Sequence, residues 1–447
     1  MKTDPYLIAL LVCLLAILCI SQLLQGARAR IHTQAAPKVR TPRPIRPKTA
    51  DDCPLCRAEQ AKQMDAQLKQ ATKPWREVKS QRGRKKTLST QGYSCPNQDC
   101  IYFGIADERI HALVGYGRHG KIDVIQDLRC QACGRKISVR WGTALYRLKT
   151  SSAKVALILA LMAEGVDVSA LERVFGNREG TLRTWLTRAG LQASKVHRDF
   201  FHHLILNHIQ LDELWAKVRR ECQEVWVWAV VEASSKLVPV LKMGPRTLDL
   251  AYAVVHDLSR MLQPGCVPIF SSDGLRLYFY ALTAHFGSWQ HPEGGQKPVW
   301  EIASTFRYAQ LKKIRRRRRL VRVERHMLWG ELGQLKDRLI ALGLSGKINT
   351  AFIERLNLTL RQGVSFLTRR TWGMARSVPE LEVSLEWWRG YYHYVRYHES
   401  LRVKLTQPQA RKGRQTPRRY RRRTPAMAAG FTPHRWTVCD LLSYPLP

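Results

Sequence analysis

LILNHIQLDELW (204–215) and EVWVWAVVEASSKLVPVLKM (224–243) are strand-like runs rich in β-branched and aromatic residues, and the turn-like Ala233-Ser234-Ser235-Lys236 breaks the second. Together they read as a three-stranded meander. TLDLAYAVVHDLSRML (247–262) follows with helical periodicity and stops at Pro264-Gly265, after which VPIFSSDG (267–274) is a short apolar run suited to a buried strand. Further on, NTAFIERLNLTLRQG (349–363) reads as a helix that buries Ile353, Leu356 and Leu360. The class is α/β, a mixed sheet with flanking helices.

Three strands, a helix and a strand form the opening of an RNase H-like fold. Such a fold gathers carboxylates in its first strand and just past its fourth, which are the places of Asp212 and Asp273. Glu354 fits the third position, on the later helix, where Glu354, Asn357 and Arg361 share one face by the three-and-four rule. Converging carboxylates suit hard cations such as Mg²⁺ or Mn²⁺. In phosphodiester chemistry one ion activates the attacking oxygen and a second, about 3.5 to 4 Å away, stabilises the leaving one. Arg361 would neutralise or position a phosphate beside them. Taken singly, an Asp at a strand end is usually a cap or a surface charge, and a helical Glu is usually solvated. Only the joint placement favours a site.

Composition points to the substrate. Lys and Arg number 74 against 35 Asp and Glu, a formal charge of +39. That excess is unfavourable for a compact chain through self-repulsion, and a polyanion relieves it. Nucleic acid is the expected partner, with an anionic membrane surface as the competitor. The 447 residues are 45% apolar, enough for a sizeable core spread over about two to four units. Eleven cysteines are too few for a disulfide scaffold in a chain of this length, and their close pairs suggest metal ligation in a reducing compartment.

Cys95/Cys100 and Cys130/Cys133 form two knuckles separated by a Gly-containing stretch, as in a β-rich zinc ribbon over 93–149, where four thiolates would close a tetrahedral Zn²⁺ site. The spacing of four residues in the first knuckle is less common than two, and Cys53/Cys56 have no second pair nearby. Residues 150–192 read as three short helices, the first capped by Ser151 or Ser152 and ended by Gly165, the second running from Ser169 to Gly176. The third extends from a cap at Asn177 to Gly190. This suits a helix-turn-helix that buries Leu182, Trp185 and Leu186 and presents Thr181, Arg183, Thr184 and Arg188 to a major groove. A plain helical bundle with a basic face is the alternative.

The ends read differently. Residues 1–25 hold an uncharged run, 5–24, long enough to span a bilayer, and the basic residues after it would leave the bulk of the chain in the cytoplasm. A signal peptide is disfavoured, because export would part the chain from DNA; a true start near Met64 is the other reading. Residues 26–92 form a basic, Pro-rich linker, and 203–400 the catalytic domain. Within the latter, 287–348 reads as a basic insertion whose Arg315, Arg316 and Arg317 would hold DNA. Residues 401–447 read as a basic tail, flexible until it meets phosphate. His393 and His398 lie in an aromatic helical stretch and approach the site only as a minority reading.

Several strings, LDELW, SSDG, NTAFIERLNLTLRQ and CQACGRKISVRWGTALYRLKT, with YVRYHESL and TPAMAAGFT later, resemble the DDE transposases of bacterial insertion sequences, of the insertion-sequence-one type. The resemblance covers about 93–435 and is most specific around Glu354. It implies cutting at element ends and joining to target DNA with a divalent metal. It also implies Asp212, Asp273 and Glu354 as the acidic triad and Arg361 as the basic residue after it. A homo-oligomer acting on nucleoid DNA would follow, since two ends must be joined. The long stretch between Asp273 and Glu354 and the N-terminal apolar run depart from that pattern. A DNA-binding regulator without activity and a structure-selective nuclease are the competing classes.

Overall fold

In the computed structural model, residues 89–219, 224–291, 297–317, 319–369, 373–411 and 414–445 are described. The apolar run 5–24, Cys53, Cys56 and nearly all of the 26–92 linker lie outside them. Among the described residues no helix is long and apolar enough to cross a membrane.

The chain opens with a three-stranded antiparallel sheet, β1 (Leu113–His119), β2 (Ile125–Cys130) and β3 (Lys136–Ser138), in that order. Three helices follow: α1 (Ser152–Ala163), α2 (Val168–Phe175) and α3 (Glu179–Phe200). Asp123 joins the two regions, since one carboxylate oxygen accepts from the Ser152 amide at the start of α1 and from Arg140. Asp167 caps α2, and Gly176, at φ +68°, ends it in the left-handed conformation that a side chain disfavours. α3 does not stop at Gly190 as its sequence suggests. Gly190 lies inside the helix because a Cβ there would fall 2.2 Å from the Val383 carbonyl oxygen, so the glycine permits close helix packing instead of marking an end.

Next come β4 (His208–Ala216), β5 (Val225–Glu232), β6 (Leu241–Gly244), α4 (Leu248–Met261), β7 (Ile269–Ser272) and α5 (Leu277–His285). A small hairpin, β8 (Gly287–Gln290) with β9 (Val299–Ile302), leads into β10 (Arg307–Arg316), β11 (Arg319–Trp329), α6 (Leu332–Ala341) and α7 (Ala351–Gly363). The central sheet has the order β11-β10-β7-β4-β5-β6. β4, β5 and β6 are antiparallel neighbours, β7 is parallel to β4, β10 is parallel to β7, and β11 returns antiparallel. The expected insertion at 287–348 is therefore corrected in part. β10 is a strand of the main sheet, and Leu335 and Leu339 of α6 pack over Ile269 and Ala309; the basic run lies only where the β10–β11 hairpin continues past the sheet.

Both faces of the sheet are covered. Leu214, Ala216, Val227, Ala229 and Val231 share a core with α1, α3, α7 and α8 (Val378–Gly390), while Ile209, Leu211, Trp228, Val230 and Phe270 pack under α4 and α5. The three helices at 150–192 are thus built into the core of the sheet. The tail is corrected too. β12 (His398–Arg411) pairs with β13 (Arg414–Arg423) in an irregular hairpin, and α9 (Pro425–Ala428) and α10 (Val438–Ser443) return to the core through Ala426, Trp436, Leu441 and Leu442. Apolar content after Arg423, overlooked beside so many arginines, is what brings the chain back.

Candidate functional site

The parallel pair β4 and β7 ends unevenly, and the site lies in the resulting gap. β7 pairs with β4 as far as Ser272 against Leu211 and with β10 as far as Gln310 against Ser272. Beyond Ser272 the middle strand is gone, and Asp273 sits at the opening between two strands that continue. Carboxyl ends of neighbouring parallel strands are where open α/β sheets bind ligands.

Asp212 is the first β4 residue past that pairing. Its Oδ1 accepts from the Glu213 amide at 2.9 Å and its Oδ2 from Asn357 Nδ2 at 2.8 Å. The second bond ties α7 to the strand. Gln210, fully buried, ties it again: its Oε1 accepts from the Phe352 and Ile353 amides at 3.0 Å, and its Nε2 donates to the Asn349 carbonyl at 2.8 Å. A strand side chain thus meets the unpaired amides at the start of the helix that carries Glu354.

The carboxylates that converge most closely are Asp212, Glu213 and Asp273, each with an oxygen within 4.8 Å of the others. Asp273 accepts from the Leu275 amide at 3.0 Å. Glu354 stands beside the cluster but outside that radius. Its side chain is 44% exposed, and its Oε1 accepts from Lys313 Nζ and Thr350 Oγ at 2.5 Å. Burial foremost, then the charges of Asp273 and Glu354, pushes the Asp212 carboxyl up to about 7. Burial and Asp273 push Glu213 up to about 7 as well, against the pull of the Tyr278 hydroxyl and Arg246. Carboxylates crowded out of water in this way gain from a divalent ion, and the all-oxygen donor set suits Mg²⁺ or Mn²⁺.

Glu213 is the member that sequence reasoning missed. Alternation along a strand sends Asp212 and Glu213 to opposite faces, and their partners agree: Asp212 meets α7, whereas Glu213 pairs with Arg246 in front of α4. They meet again only because β7 ends between them and β10. Asn357 was on the helix face singled out with Glu354. Arg361 does not join the cluster; half-buried, it donates to the Leu367 carbonyl at 3.4 Å, and burial lowers its pKa. His393 is a core residue whose Nε2 accepts from the Val238 amide.

Arg315, Arg316 and Arg317 are exposed on the β10–β11 hairpin, which continues beyond the carboxylates from Lys313. The helical candidates divide. Thr181 and Thr184 are exposed on the first turns of α3, whereas Arg183 and Arg188 do not face outward freely. Arg183 is held by Glu179 and Glu380, and Arg188 donates to the Tyr146 carbonyl. Helical periodicity placed both beside solvent but could not show that α8 and the 146 segment lie against that side.

Cys95, Cys100, Cys130 and Cys133 form the second cluster. Sγ–Sγ separations of 3.5 Å for Cys95–Cys133 and 3.8 Å for Cys100–Cys130 approach the roughly 3.8 Å edge of a tetrahedron with metal–sulfur bonds of about 2.3 Å. The four thiols therefore fit a Zn²⁺ ion. Burial pushes the Cys95 and Cys100 thiols up, so both would lose a proton as an ion enters.

No family model matches the sequence, and no curated protein is similar enough to match it.

Proposed function

We propose that this protein is a DNA transposase that cuts at the ends of an insertion element and joins them to target DNA through a divalent-cation centre at Asp212, Asp273 and Glu354. The observation that carries the reading is the meeting of Asp212, the first β4 residue beyond the parallel pairing, with Asp273, just past the end of β7, while a helix fastened to β4 brings Glu354 alongside. The order β6-β5-β4-β7-β10, antiparallel in its first half and parallel in its second, is similar to an RNase H-like sheet and supports the same conclusion. Bound Mg²⁺ or Mn²⁺ would supply nucleophile activation and charge neutralisation.

The chain's own residues supply placement. Asn357 fixes the orientation of Asp212, and Gln210 fixes the start of α7, so the distance between strand and helix carboxylates is set before DNA arrives. Lys313 sits between Glu354 and the basic hairpin. A phosphate drawn to Arg315, Arg316 and Arg317 would offer Lys313 a second partner and free Glu354 for a cation. The cysteine cluster and the start of α3, with Thr181 and Thr184 outward, form the reader of the element ends, and the β12–β13 arginines add phosphate contacts. Joining two ends requires at least two protomers.

Asp212→Asn, Asp273→Asn and Glu354→Gln are each expected to lower cleavage at least a thousandfold while DNA affinity, followed by fluorescence anisotropy, stays within a fewfold of the parent. Cleavage retained in any of the three would sink the assignment.

A further inference from the structure

We propose that Glu213 is a fourth carboxylate of the cation site, and that the Arg246 guanidinium competes with the cation for it. The inference rests on the cation-dependent reading above and adds to it a ligand and a resident competitor.

The Glu213 side chain is only 1% exposed. Its Oε2 accepts both contacts from Arg246, from Nη2 at 2.9 Å and Nε at 3.0 Å. Its Oε1 is buried and has no hydrogen-bond partner. The buried Tyr278 hydroxyl is close enough to Glu213 to lower its pKa, but neither that hydroxyl nor Oε1 has a hydrogen bond of good geometry. An unmet buried carboxylate oxygen is expensive, and a metal ion is one of the few partners that repays it. This oxygen belongs to a side chain clustered with Asp212 and Asp273.

Charge tells the same story. Once an ion has displaced their protons, three carboxylates face a single guanidinium, which leaves two negative charges, the charge of one divalent ion. Asn357 and the Leu275 amide give Asp212 and Asp273 hydrogen bonds but no compensating charge. Arg246 is positioned to yield. It lies in the short connection between β6 and α4, its side chain is 38% exposed, and it stacks on Trp226 at 4.8 Å, so it can leave Glu213 for solvent without opening the core.

The test is Mn²⁺ binding to the full chain without DNA, followed by electron paramagnetic resonance of the free ion. Mn²⁺ favours oxygen donors, so the cysteine cluster will not compete for it. Glu213→Gln, nearly isosteric, is expected to weaken binding at least tenfold. Arg246→Gln is expected to tighten it threefold or more. If Asp212→Asn weakens binding while Glu213→Gln leaves it within twofold, the proposal is overturned and the cation site stands. If the parent protein binds no Mn²⁺, or Asp212→Asn leaves binding unchanged, the cation-dependent reading itself fails. Should Glu213→Gln not fold, Arg246→Gln decides, since unchanged or weaker binding there also overturns the competition.

Discussion

Gln210 shows how one side chain carries structural information between two elements. It is fully buried on β4, yet all four of its side-chain hydrogen bonds reach the loop and first turn of α7. Gln210→Ala leaves two helix amides and a carbonyl unmet, at about 1–3 kcal/mol for each buried group, moderated by water entry. The expected loss is roughly 2–4 kcal/mol in urea unfolding, and a loss below about 0.5 kcal/mol would show that these hydrogen bonds do not hold the helix. Asn357→Ala should act on chemistry instead, lowering cleavage ten- to a hundredfold with stability little changed. At this scale the sequence placed Asp212 on the first strand of the sheet, Asp273 just past β7 and Glu354 on the later helix, where the structure has them, because those positions follow from the order of elements. It did not disclose Glu213, Lys313 or Arg246. Those depend on where β7 stops relative to its neighbours and on a pairing across about forty residues, and no local periodicity encodes either.

Among the elements, α3 and α8 form the spine against which the sheet is fixed. Gly190 lets them approach, so Gly190→Ala, with a Cβ 2.2 Å from the Val383 oxygen, should destabilise by about 1–3 kcal/mol, as overpacked cores do. Near the far end of α3, His197 and the π-helical turn's His393 lie 6.3 Å apart between ring centroids. Burial first, then the Arg389 charge, holds both imidazoles well below their usual pKa. A depressed folded pKa means that the unfolded chain takes up protons the native state refuses. The stability from these groups is full above pH of about 6.5 and is lost as the pH falls below it, by up to about 1.4 kcal/mol per pH unit for each histidine. Thermal unfolding between pH 7.5 and 5 should show the decline, and His393→Gln should flatten it; a melting temperature rising toward pH 5 would contradict this. The helices and meander were legible as elements because their periods are strong. The extent of α3 was not, since a glycine reads as a stop until its neighbour is known, and β10 looked like an insertion because its arginines outweighed the apolar Tyr308, Ala309 and Leu311 beside it.

For the whole molecule, charge and metal content are the testable properties. Four clustered thiols predict one tightly held Zn²⁺ per chain in the cysteine site, released by mercurial titration and absent when Cys95 and Cys130 are both replaced by Ser. A protein that purifies without zinc and takes none up would remove that module from the account. The +39 charge predicts DNA affinity that falls steeply with salt. Replacing Arg315, Arg316 and Arg317 with Ala should lower the slope of log K against log salt by about 0.9 for each phosphate that those side chains neutralise. That partner class is an expectation drawn from composition, whereas the return of the last residues into the core, which makes the supposed tail part of the body, was not legible in the sequence.

The most direct measurement incubates the full chain with duplex DNA carrying the flanks of its own gene, in Mn²⁺ or Mg²⁺ and in EDTA, and resolves the products on a denaturing gel. Metal-dependent nicks at the element ends and a longer, joined species are predicted, both absent in EDTA and in Asp273→Asn. Tight DNA binding with no cut under any metal would contradict a transposase, and cuts without joined strands would confine the protein to a nuclease.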